Sequence, residues 1–357
     1  MPLTFAPLRV AEIRRETDDA VSLRFEIPEA LRQDFAFRPG QYLTLRTTLG
    51  GEDLRRAYSI CAGLDDGELR VAVKHVPDGA FSAHANTALR EGDTLEVMPP
   101  QGRFGHDPDP AAARLYLGIA AGSGITPILS ILKSILAREP ASRFVLLYGS
   151  RSTARILFRG ELEDLKDRAL ARLTVVHALS REAQDIAALS GRLDAARLRA
   201  LLPGLLDPRA IDQAFVCGPA AMLDEMPPAL AALGVPPDRI QIERFTPASP
   251  ATTRRAAPIA ATARPAATAT IIHDGASHTI PVADGETVLD AALRAGLGLP
   301  WSCHGGMCST CRARVTEGAV RMAANYSLEP WETAAGYALT CQAHPTTPHL
   351  VVDYDQV

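Results

Sequence analysis

Residues 303–311 read CHGGMCSTC. Three cysteines stand there at the spacing C-x4-C-x2-C, and Cys341 follows thirty residues later in LTCQA, residues 339–343. Cys61 and Cys217 stand apart from this group. Clustered cysteines in a chain without a secretory leader point to metal binding rather than to disulfides. Zinc accepts four thiolates, and C-x4-C lies within its usual ligand spacing. A [2Fe–2S] cluster of the plant ferredoxin kind uses C-x4-C-x2-C plus one distant cysteine, which Cys303, Cys308, Cys311 and Cys341 match in full. Gly305 and Gly306 allow the loop to turn its N–H groups toward sulfur, because no Cβ stands in the way. The cluster is therefore the expected occupant, with zinc as the alternative.

Around that loop, residues 268–357 form a small domain. TATIIHDGASHTIPV (268–282) is a hairpin turning at Asp274-Gly275. Thr287 and Asp290 cap a short helix that Gly296 ends. The domain holds nine Asp/Glu against four Arg and no Lys. Before it, TPASPATTRRAAPIAATARPAA (246–267) has four prolines and no apolar period, so residues 247–267 read as a semi-stiff linker.

The remaining chain divides again. Up to residue 112, short β-type runs (VSLRFEIP, QYLTLRTT, AYSIC, ELRVAVKHV, DTLEVMP) alternate with turn signals, the pattern of an antiparallel β-barrel. Residues 77–90 break the pattern as one short helix. From 113 to 246, strands alternate with helices, which implies an α/β domain on a parallel sheet covered on both faces. Its last helix, PAAMLDEMPPALAALG, is expected to be interrupted at Pro227 and Pro228. Leu115 to Leu132 is 18 residues without a charge, long enough to suggest a membrane span. Gly122-Ser123-Gly124 and Pro127 in its middle favour a strand, a turn and a helix start.

The chain has 357 residues, 47% of them hydrophobic, and a net charge of −4, which suits a soluble multi-domain protein. No basic stripe suggests nucleic acid. The N-terminus has no apolar signal core, so a cytoplasmic location is expected.

Several residues point to bound nucleotides. Arg56 and Tyr58 lie on one strand face, followed by Ser59. An Arg can clamp a flavin phosphate through paired hydrogen bonds, a Tyr can stack on the ring, and a Ser can reach a ring nitrogen. Gly79-x-x-Ser82 opens a helix, whose free N–H groups suit a pyrophosphate and so FAD. Taken alone, R-x-Y-S is an ordinary strand sequence with a solvated Arg. In the α/β domain, Gly122, Gly124 and Thr126 follow the first parallel strand at a second anion-type helix start. Ser150, Arg151 and Arg155 lie beyond the next strand, where an Arg can hold a 2′-phosphate and favour NADPH over NADH. Cys217-Gly218 ends a later strand, beside the nicotinamide or as a packed small side chain. Phe245 is a candidate shield for the flavin ring. No acid–base catalyst is required.

These motifs, in this order, resemble the ferredoxin–NADP reductase superfamily with a C-terminal plant-type ferredoxin. FRPGQYLTLR, LRRAYSIC, AGSGITPIL, FVCGPAAM, IERF, NYSLEP and GYALTCQA carry the likeness. Within it the chain is most similar to the reductase subunits of ring-epoxidising phenylacetyl-CoA epoxidases. Ser150 replaces a more usual Asn, and His304 a more usual Lys. The resemblance implies an oxidoreductase that passes electrons from NADPH through FAD and a [2Fe–2S] cluster to a carboxylate-bridged di-iron oxygenase. A different aromatic-ring or steroid hydroxylase as partner, or a redox sensor, stays open.

Overall fold

The first strand, β1 (Ala6–Thr17), is rich in charge, yet Leu8 and Val10 on its inward face are fully buried. Alternation rather than composition makes it a strand, and no apolar run marks it in the sequence. The structure, a computed structural model, describes residues 4–245 and 265–356. With β2 (Ala20–Glu26), β3 (Tyr42–Leu49), β4 (Glu52–Ser59), β5 (Leu69–Lys74) and β6 (Thr94–Gln101), β1 forms one sheet in the order β4-β3-β6-β1-β2-β5. A bridge from Ile60, just past β4, to Val71 on β5 joins the two edges into the expected barrel. Leu23, Leu43, Leu45, Val73 and Val97 fill it. Each such buried side chain stabilises the fold by about 1.5–3 kcal/mol. Helix α1 (Ala80–Thr87) closes one end and contributes the buried Phe81.

The uncharged run Leu115–Leu132 splits as its glycines suggest. β7 (Leu115–Ala121) is buried along almost all its length, and α2 (Ile125–Arg138) starts after the turn. Pro127 sits in the first turn of α2, where its missing N–H would have no helical partner. Among the described residues no helix is long and apolar enough to cross a membrane. β8 (Arg143–Ser150), α3 (Arg159–Arg168), β9 (Leu173–Leu179), α4 (Ala195–Leu205), β10 (Gln213–Gly218), α5 (Ala220–Ala232) and β11 (Ile240–Arg244) complete the α/β domain. Its parallel strands run in the order β11-β10-β7-β8-β9. The strand order reverses between β7 and β10, and open α/β sheets bind ligands at such a point.

One expectation fails here. α5 runs unbroken through Pro227 and Pro228. Met222, Leu223, Met226, Ala229 and Leu230 form one buried face that holds it. Of the two carbonyls left without helical donors, that of Asp224 lies in an exposed part of the helix, within reach of water.

Barrel and α/β domain, apart from Arg55–Ala57 of β4, cluster as one compact unit. Lys133 of α2 is ion-paired to Asp66 of the barrel and to Glu161 of α3, Ser130 donates to Ala62 O (2.6 Å), and Arg138 pairs with Asp65 (2.8 Å).

Of the expected linker, residues 247–264 lie outside the described residues, and its last three open β12 (Pro265–His273). β12 turns at Asp274 and Gly275, both at positive φ, into β13 (Ala276–Ala283). Thr287 accepts from Asp290 N (3.1 Å) and caps α6 (Val288–Arg294). β14 (Arg312–Glu317), β15 (Val320–Met322), α7 (Pro330–Ala334), β16 (Tyr337–Leu339), β17 (Ala343–Pro345) and β18 (His349–Asp353) follow. The sheet order is β13-β12-β18-β14-β16, with β15 and β17 as a separate pair. The apolar face of α6 joins this domain's core through Val288, Leu289, Ala291 and Ala292, the arrangement of a β-grasp domain.

Candidate functional site

At the barrel end, β4 presents Arg56, Tyr58 and Ser59. The Tyr58 ring lies 5.5 Å from Phe81 of α1, so the strand motif and the glycine-led helix meet. Ser59 is 3% exposed and its Oγ has no hydrogen-bond partner. A hydroxyl buried that way costs about 1–3 kcal/mol, which a bound polar group would offset. Ser82 is placed differently from a free phosphate ligand. Its Oγ accepts from Val76 N (3.1 Å) and donates to Gly79 O (3.0 Å), so it shapes the turn whose N–H groups open α1. Side chains and helix start together fit a flavin dinucleotide.

At the switch point, Gly122 adopts φ +56°. A Cβ on Gly124 would overlap the carbonyl of Cys217, so only glycine allows the ends of β7 and β10 to meet. Thr126 donates to Ser123 O (2.9 Å) and fixes the turn. Ser150, at the end of β8, is a second deeply buried hydroxyl without a hydrogen-bond partner. Arg151 is exposed beside it, whereas Arg155 is committed to Asp18 (2.7 Å) and Asp19 (2.6 Å). Lys74, which no motif marks in the sequence, stands with its Nζ 3.8 Å from the Cβ position of Gly122. Burial and the neighbouring Arg151 and Arg155 charges hold its pKa below the usual lysine value, against the pull of Asp19. That crowding of cations fits a phosphate-bearing ligand.

Cys217 is fully buried, and burial pushes its thiol far up, so it is a neutral thiol. Gly218 follows at the entry to α5. Cys217 pairs in register with Glu243 on β11, whose carboxyl burial pushes up to about 8 although part of its surface meets solvent. Phe245 packs partly buried against the α/β core. In the sequence Glu243 is an ordinary strand-end carboxylate; only its pairing with Cys217 marks it.

The contacts among the four clustered cysteines follow a pattern. Among the described residues no three His, Cys, Asp or Glu side chains are arranged for one metal ion. The four thiols lie together: Cys303 is hydrogen-bonded to Cys308 and Cys341 to Cys311, and Cys308 and Cys341 also interact across these pairs. Two sulfurs for each of two irons is the donor count of a [2Fe–2S] cluster, whereas zinc asks for four on one ion. Gly305 N donates to Cys303 Sγ (3.3 Å) and Cys303 N to Cys308 Sγ (3.5 Å). The Cys308 thiol, with the backbone N–H groups of Gly305, Met307 and Cys308, brings Cys303 down to about 6, despite burial. His304 and Ser309 hold φ of +49° and +54°, and Gly306 +75°. Gln342, which no sequence signal singles out, donates to His304 O (2.7 Å) and ties the loop to the Cys341 segment. Burial lowers the His304 pKa, so near neutral pH its ring is uncharged, where a Lys would carry a charge.

This geometry agrees with three family models. An oxidoreductase FAD-binding domain matches residues 7–106, an oxidoreductase NAD-binding domain 119–226, and a 2Fe–2S iron–sulfur cluster binding domain 271–346. The chain is 47% identical to one of the subunits of 1,2-phenylacetyl-CoA epoxidase from Escherichia coli, over 99% of this chain and 98% of that one. The chain belongs to the ferredoxin–NADP reductase superfamily. It is a flavin- and iron–sulfur-dependent oxidoreductase that uses FAD, a [2Fe–2S] cluster and a pyridine nucleotide. It is also 35% identical to the ferredoxin reductase component of 3-ketosteroid-9-alpha-monooxygenase from Rhodococcus rhodochrous, over 97% and 96% of the two chains. Among solved structures, phthalate dioxygenase reductase shares the fold at 23% identity and a TM-score of 0.57, with 98% of both chains covered. An intact type IV self-sufficient cytochrome P450 monooxygenase shares it over 98% of this chain and 41% of that one, at 23% identity and a TM-score of 0.68.

Proposed function

We propose that this chain is the cytoplasmic reductase of a phenylacetyl-CoA-epoxidising system, passing electrons from NADPH to a carboxylate-bridged di-iron oxygenase component. The observation that carries the reading is the 47% identity over nearly the full length to the E. coli epoxidase protein, against 35% to the ketosteroid reductase. The flavin, when bound, supplies the change from two-electron hydride chemistry to single electrons. The chain's own residues then have distinct tasks. Arg56 and the α1 start hold the flavin phosphates, Tyr58 and Ser59 its ring, and Phe245 covers the ring. Gly79 and Ser82 shape the α1 start. Gly122, Gly124 and Thr126 form the pyrophosphate turn, with Gly218 opening the path beside it. Ser150 and Arg151 receive the adenosine end, where a cation favours the extra phosphate of NADPH, and Lys74 stands beside Gly122 at the pyrophosphate turn. Cys217, a neutral buried thiol, packs behind Gly218 on the nicotinamide side. Cys303, Cys308, Cys311 and Cys341 hold the cluster.

The test mixes the holo-chain with the other components of the E. coli epoxidase and follows NADPH oxidation. Oxidation that rises on adding phenylacetyl-CoA, with epoxide formed in step, is expected. Oxidation indifferent to phenylacetyl-CoA, with 3-ketosteroid 9-alpha-monooxygenase supported instead, overturns the substrate assignment.

A further inference from the structure

On the C-terminal domain two large aromatic side chains are more than half exposed. Trp331 is 62% exposed and Tyr326 57%, with exposed Glu329 between them in the sequence. Trp and Tyr carry much of the binding energy at protein interfaces, and here two of them stand within six positions of each other. The segment that bears them is fixed. Asn325 Oδ1 accepts from Leu328 N (2.8 Å) and Ser327 N (3.3 Å), and the Leu328 side chain is buried. The segment is also tied to the cysteine loop. Tyr326 N donates to Gly306 O (3.0 Å), and Ala324 O lies 2.9 Å from the place of a Gly306 Cβ. Gly306 lies between Cys303 and Cys308, so a partner touching Tyr326 rests against the loop that holds the cluster. Electron transfer weakens steeply with distance, which makes this a productive place to dock.

We propose that Tyr326 and Trp331 form the contact at which the electron-accepting protein docks, and that this acceptor offers an apolar recess rimmed by Lys and Arg. The charge of the partner follows from that of the domain. Residues 268–357 hold nine Asp/Glu against four Arg and no Lys, so a basic rim is attracted and an acidic one repelled. The inference rests on the reading that the chain delivers electrons to a separate protein.

The test uses holo-chains carrying Trp331→Ala, Trp331→Phe or Tyr326→Ala, with Leu170→Ala on the exposed surface of the α/β domain as control. NADPH-dependent reduction of ferricyanide, a small acceptor that needs no docking face, should stay unchanged in all four. The KM for the oxygenase component of the E. coli epoxidase should rise about tenfold for Trp331→Ala and Tyr326→Ala, with little change for Trp331→Phe or the control. If the wild-type chain passes that component no electrons, the substrate assignment has failed, and cytochrome c, a basic protein acceptor, takes its place in the same comparison. An unchanged KM for the deciding protein acceptor, or an equal rise in the control, overturns the docking surface.

Discussion

Gly124 and the carbonyl of Cys217 stand so close that no side chain fits between them. The contact brings the turn after β7 against the end of β10, at the reversal of strand order, and it exists only because residue 124 lacks a Cβ. Gly124→Ala must push one of these strand ends away. We expect a loss of about 1–3 kcal/mol in stability and about a tenfold rise in the KM for NADPH. Thermal unfolding and steady-state kinetics check both, and flavin content should be retained.

Ser59 should show opposite effects with and without flavin. Its Oγ is buried and unpartnered in the chain alone. Ser59→Ala removes that cost, so the flavin-free protein should keep or gain up to about 1 kcal/mol of stability, while FAD binding weakens about tenfold. Denaturant titration of flavin-free protein and fluorescence titration with FAD separate the two effects. A variant weakened in both would show that Ser59 serves packing.

The two cysteine pairs predict a clean division of activities. Cys341→Ser leaves Cys311 without its partner, and iron with acid-labile sulfide should fall to near zero. NADPH-dependent ferricyanide reduction, which needs only the flavin, should persist, whereas cytochrome c reduction should collapse. Iron assay, visible spectrum and the two rates are the measurements.

Glu243 gives the chain a pH dependence of known sign. Its carboxyl lies at about 8 in the fold against an ordinary 4.5, raised by burial. The fold therefore binds this proton more tightly than the unfolded chain does. The stability it contributes is full below about pH 4.5 and is lost as pH rises through about 8. Glu243→Gln cannot ionise, so its stability should fall less than wild type between about pH 5 and pH 9. Urea unfolding across that range reads the difference.

Much of this protein is legible in its sequence. The cysteine spacing announces the cluster ligands because a covalent donor set is written directly in residue type and interval. The barrel, the parallel sheet and the β-grasp domain follow from periodicity and turn residues, which act over a few positions. Where several local signals conflict, tertiary packing decides. α5 passes through Pro227 and Pro228 because five buried side chains hold it, and the charged β1 is a strand because Leu8 and Val10 reach the barrel core. Lys74 carries no motif, and Glu243 and Gln342 lie within the stretches IERF and GYALTCQA without being singled out there. Each becomes informative only when folding sets it beside a residue far along the chain: Lys74 at Gly122, Glu243 at Cys217, Gln342 at His304. Electrostatic and hydrogen-bonding roles depend on distance in space, and sequence order does not contain it.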